Sequence, residues 1–77
     1  VLGNVRLTLA MRMNYAEALY KDPAATLDDL REAVTTLEET ARIARRVFGN
    51  AHPLMTMIED SLQATRAALH ATLEQEK

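Results

Sequence analysis

The chain has 77 residues, no cysteine, 48% hydrophobic residues, 26% charged residues and a formal net charge of -2. That length allows one domain, near the size at which a single core barely suffices without a staple, and the missing cysteines exclude disulfides and thiolate metal sites. The apolar content excludes a disordered chain, and the slight acidity speaks against nucleic acid, whose binders carry a basic surplus.

No apolar run approaches the roughly 18 to 20 residues of a membrane span, and no basic start with an apolar core marks a signal peptide. With no cysteine to oxidise, the expectation is a cytoplasmic protein that engages neither membrane nor nucleic acid. Because the sequence opens on Val1 rather than Met, it reads as a segment of something longer.

Three helices are expected, since Ala, Leu, Glu, Arg and Met fill the stretches between Pro23 and the Gly49-Asn-Ala-His-Pro53 break. The first should span about residues 4–20, with Asn4 as N-cap and Pro23 preventing continuation. Its apolar residues include Val5, Leu7, Leu9, Met11, Met13, Tyr15, Ala16, Leu19 and Tyr20. That is wider than one stripe, so this helix expects neighbours on more than one side.

The second helix, about 26–48, has a sharper pattern: Leu27, Leu30, Val34, Leu37, Ala41, Ala44 and Phe48 alternate steps of three and four. Thr26 and Asp29 suggest a capping box, Asp28, Asp29 and Glu32 suit the positive N-terminus, and Arg42, Arg45 and Arg46 suit the negative end. Gly49 then reads as the stop, where a positive φ is needed, and Pro53 as the first turn of the third helix. This last helix, about 53–73, carries the stripe Met55, Ile58, Leu62, Thr65, Leu69 and Leu73, weakened by Thr65 and followed by a fraying polar tail. Glu59, Asp60, Gln63, Arg66 and His70 make its other face polar.

The opening Val-Leu-Gly-Asn echoes Val47-Phe-Gly-Asn, with Gly3 and Gly49 standing 46 positions apart, and a period in the forties suggests a helical repeat. At the residue level the chain resembles tetratricopeptide repeats of the kinesin light chain type. The carriers are Thr8, Leu9, Asn14, Ala16, Leu19 and Tyr20, then Asp29, Glu32, Ala33, Leu37, Ala41, Ile43, Val47 and Gly49, then His52 and Pro53. The opening junction lacks His-Pro, the Lys21-to-Asp28 turn is long, and Leu54 and Met55 replace the usual Asp-Thr. The resemblance implies one full repeat and a divergent capping helix within residues 1–77, an all-α helix-turn-helix repeat with three antiparallel helices in an α-α superhelix.

Residues that carry chemistry in enzymes are scattered. His52 falls in a turn and His70 on an outer face, without metal-ligand spacing. The carboxylates group at a helix N-terminus or on polar faces, and no phosphate loop, nucleophile elbow or His-Glu-x-x-His occurs. No enzyme, metal site or cofactor is expected.

The resemblance implies instead a scaffold for protein partners, in which first helices line a concave groove and an asparagine holds an extended peptide by its main chain. That role would fall to Asn14, with Met13, Glu17, Tyr20 and Lys21 exposed beside it, while a local helix-capping or inter-helix hydrogen bond is an equal reading of Asn14. Neighbouring repeats of a parent chain are further partners, as is a second copy through the first-helix face. The unbroken three-four spacing of the second helix leaves open another reading, a structural three-helix bundle or coiled-coil oligomer with no peptide-binding role.

Overall fold

The computed structural model describes residues 2–75, with side chains from Val5 onward. Among these residues there are three helices and no strand: α1 Leu2–Lys21, α2 Leu27–Phe48 and α3 Pro53–Gln75. The chain is all-α, as its composition and periodicity imply.

The turns follow from local chemistry. After α1, the Asp22 carboxylate accepts from the Ala24 amide at 2.9 Å, and the Ala25 amide bonds back to the Asp22 carbonyl at 2.9 Å, closing a turn around Pro23. Thr26 then caps α2 with its hydroxyl accepting from the Asp29 amide at 3.1 Å, while the Asp29 carboxylate accepts from the Thr26 amide at 3.0 Å. This is the expected capping box, with Asp serving where Glu is usual.

At the far end of α2, Gly49 takes φ 82° and ψ 170°, a conformation open to glycine and costly for any residue with a Cβ. Its amide still bonds to the Arg45 carbonyl at 3.0 Å, and the Arg45 guanidinium donates to the Asn50 side chain at 2.9 Å. Pro53 opens α3, as expected.

Two expectations at the ends need correction. α1 begins at Leu2 and runs through Gly3 and Asn4, so Asn4 lies inside the helix and does not cap it. The echo between Val-Leu-Gly-Asn and Val-Phe-Gly-Asn is therefore one of letters: Gly3 sits within a helix, whereas Gly49 ends one. α3 also runs through Glu74 to Gln75, past the expected end at Leu73, and Glu74 sits 3.7 Å from His70 one turn earlier. The remaining tail residues, 76 and 77, lie outside the described residues.

α2 is the middle helix. It packs along both α1 and α3, whereas those two meet each other over a much shorter stretch. Its stripe of Ala33, Leu37, Ala41 and Ala44 is buried between Leu9, Met13 and Ala16 of α1 and Leu54, Met55, Ile58 and Leu62 of α3. Burying a side chain such as Leu37 or Ile58 stabilises by roughly 1.5–3 kcal/mol.

The one mismatch in the α3 stripe, Thr65, is fully buried and remains satisfied, because its hydroxyl donates to the Ser61 carbonyl at 2.7 Å. Thr40 does the same toward Thr36 at 2.7 Å, and no buried side-chain polar atom among the described residues lacks a partner.

Polar contacts fix the register between helices. Tyr15 donates to the Glu32 carboxylate and Arg12 stands 3.9 Å from Glu39, tying α1 antiparallel to α2. Arg66 of α3 reaches Glu38 of α2 at 2.8 Å. Glu38 thus pairs across helices rather than with Arg42 on its own helix. The exposed ion pairs Arg12–Glu39 and Arg66–Glu38 contribute about 0–1 kcal/mol each and align the helices more than they stabilise them.

Candidate functional site

α1 is expected to have neighbours on more than one side, whereas in the structure it buries one face and leaves the opposite one uncovered. At about 3.6 residues per turn, Leu7, Met11, Tyr15 and Ala18 fall opposite the buried Leu9, Met13 and Ala16 and the partly buried Tyr20. Leu7 is 61% exposed, Met11 62% and Tyr15 51%, so a continuous apolar stripe on α1 lies uncovered. α2 shows no such second face, since apart from Val47 its exposed positions are polar or charged.

Where α1 and α3 run side by side, they leave a groove of about 320 Å³. Its floor is apolar: Met13 and Ala10 from α1, Leu54 and Met57 from α3. Its walls are polar, with Asn14 and Glu17 on one side and Asp60 and Ser61 on the other. The Ser61 hydroxyl donates to Glu17 at 3.5 Å, bridging the two helices at one point of the groove.

Of the five residues expected to contact a peptide, the groove brings together Met13, Asn14 and Glu17, and leaves out Tyr20 and Lys21. Met13 is not exposed as expected; at 5% exposure it belongs to the core and offers the groove only its edge. A helix apolar on two faces gives no clear phase from sequence, which is why its inner and outer methionines, Met13 and Met11, were hard to tell apart.

Lys21 stands 3.7 Å from Glu17 and its ammonium lies 5.9 Å from the Tyr20 ring, while Tyr20 is partly buried against the core. Sequence reasoning also missed Asp60 and Ser61 as groove residues. Their signal lies in the 44-residue offset that sets Ser61 beside Glu17, which only the packing of parallel helices reveals.

The histidines have local roles. His52 caps α3: its Nδ1 accepts from the Leu54 amide at 3.0 Å, which requires a neutral ring with the proton on Nε2. The ring also stacks on Phe48, with centroids 4.5 Å apart. No group of three or more His, Asp or Glu among the described residues converges to hold a metal. No helix of the described residues is long and apolar enough to cross a membrane.

One titration stands out. The Tyr15 hydroxyl is raised above its ordinary value, first because it donates to the Glu32 carboxylate, then through the negative charge of Glu32. Loss of its proton would place two anions together.

Comparison of the chain with family models, with curated proteins and with solved structures found no match. The likeness to tetratricopeptide repeats rests on the residues alone.

Proposed function

We propose that the chain is a protein interaction module, a tetratricopeptide-like helical segment of the kinesin light chain type, working without cofactor or catalysis in the cytoplasm. The observation that carries this reading is the uncovered stripe of Leu7, Met11 and Tyr15 on a helix whose opposite face is already buried. A helix apolar on both faces suits stacking, in which each unit is covered by the one before it. α3, with Glu59, Gln63, Arg66 and His70 exposed, suits a closing helix. The α1 and α3 groove then corresponds to the concave face, with Asn14 on its wall.

A closed three-helix bundle would turn the apolar surface of every helix toward one centre. The limited meeting of α1 with α3 and the outward stripe of α1 count against it. A parallel coiled coil through α2 is disfavoured, because most of the α2 stripe is already used within the chain.

Fusing a consensus tetratricopeptide repeat ahead of α1 tests the reading. The melting temperature should rise by several degrees as the stripe is covered. An unchanged melting temperature overturns the repeat assignment. Sedimentation addresses the bundle or coiled-coil reading: a dimer that survives Leu7→Gln with Met11→Gln, and holds its second helices parallel, favours that alternative.

A further inference from the structure

The inference concerns the ligand class of the α1 and α3 groove and rests on the interaction-module reading above. No residue lining the groove is basic, and two carboxylates, Glu17 and Asp60, stand on its opposite walls. Lys21, 3.7 Å from Glu17, offsets part of that charge. Asp60 has no ion pair or hydrogen bond from its side chain among the described residues, so its charge is fully available. α2, whose Arg42 and Arg46 have no ion-pair partner among the described residues, contributes nothing to the groove lining.

Between the carboxylates the surface is apolar and adaptable, since Met57 is largely exposed and a thioether chain reshapes easily around a guest. Asn14, exposed and without a partner among the described residues, offers both a donor and an acceptor to a main chain. A volume of about 320 Å³ lies at the small end of ligand sites, room for one or two side chains rather than a helix.

We propose that this groove receives an extended peptide in which a lysine or arginine adjoins an apolar residue. The cation faces Asp60, with Glu17 across from it; the apolar side chain lies over Met57 and Leu54; the backbone pairs with the Asn14 amide. An acidic peptide would meet like charge here, at an energetic cost that sets the specificity.

The test is a titration of the isotope-labelled chain, followed by amide chemical shifts, with the peptide acetyl-Gly-Ser-Leu-Arg-Met-Lys-Ser-Gly-amide. A control peptide carries glutamate at both basic positions. Shifts are expected at Asn14, Glu17, Met57 and Asp60, with affinity falling several-fold when salt is raised from low to physiological strength. Asp60→Asn, which removes no contact of the fold, should weaken binding about threefold, in keeping with an exposed charge pair.

Binding of the glutamate peptide to the same residues, equal to or stronger than the basic one, overturns the charge assignment while leaving the groove as an interaction surface. Failure of both peptides to shift any groove amide overturns the peptide-groove reading as well. Groove shifts that depend on protein concentration without peptide assign the site to a second copy and likewise overturn the proposal.

Discussion

α1 and α2 lie against each other and are similar in length, 20 and 22 residues, yet they solve different problems. α2 divides into an apolar stripe, whose Leu37, Ala41 and Ala44 lie buried in the core it shares with its two neighbours, and a largely polar and charged outside. α1 is apolar on two opposite faces and buries only one of them. The contrast separates what holds the fold from what the fold has left to offer. α2 uses its pattern to hold the fold, whereas α1 keeps apolar surface that the fold does not cover.

The sharpest way to break this comparison is a pair of truncations. Leu37→Ala in α2 removes a fully buried side chain and should cost about 2–5 kcal/mol in chemical denaturation, a large share of what a chain this size possesses. Met11→Ala on the exposed α1 stripe should change stability by less than about 0.5 kcal/mol. Similar losses at both sites would mean that the outer face of α1 is covered in solution.

The next effect concerns the end of α2. Gly49→Ala meets no neighbouring atom within 4 Å, so any loss comes from the backbone alone. At φ 82° that loss should be about 1–3 kcal/mol by thermal or chemical unfolding.

The caps follow. Thr26→Ala should destabilise by about 1 kcal/mol, and His52→Ala by a comparable amount, with His52→Asn recovering much of it because an asparagine oxygen can accept the same amide. A full loss in His52→Asn would assign the contribution to the stack on Phe48 instead.

The smallest effect is alkaline. Because the hydroxyl of Tyr15 is raised in the folded chain, its contribution to stability is complete below the ordinary phenol range near about pH 10 and is lost as pH rises through the folded value. Comparing melting temperatures of the parent and Tyr15→Phe from neutral pH to pH 11 should show the parent losing its advantage only at the alkaline end. A Tyr15→Phe difference that is constant with pH would place the effect in packing.

The boundaries most legible in the sequence are those made by neighbours along the chain. Thr26 with Asp29, Gly49 and Pro53 act within one turn, so their letters suffice, and the α2 stripe is legible because one face and one period agree. α1 is where legibility fails. With apolar residues on both faces, the pattern did not distinguish Met13 in the core from Met11 outside, and Gly3 and Asn4 suggested a start inside what is a continuous helix. The groove was half visible: Asn14 and Glu17 stand on one helix, but Asp60 and Ser61 reach them only through a packing of α3 on α1 that no local rule encodes. Long-range pairs such as Glu38 with Arg66 were hidden for the same reason, since the sequence offers Arg42 as a nearer partner.

The junction around Gly49 has a consequence for how the chain comes together. Within a span of a few residues it holds the Arg45 to Asn50 hydrogen bond, the Phe48 and His52 stack and the His52 cap on Leu54. Each of these forms by closing a very short loop, the fastest kind of contact a chain can make. The α2 and α3 hairpin therefore has the means to form early, and so has the α1 and α2 hairpin, whose turn is held by the bonds of Asp22 to Ala24 and Ala25. Slowest hydrogen exchange should be found in α2, the helix packed along both sides, with α1 and α3 opening before it.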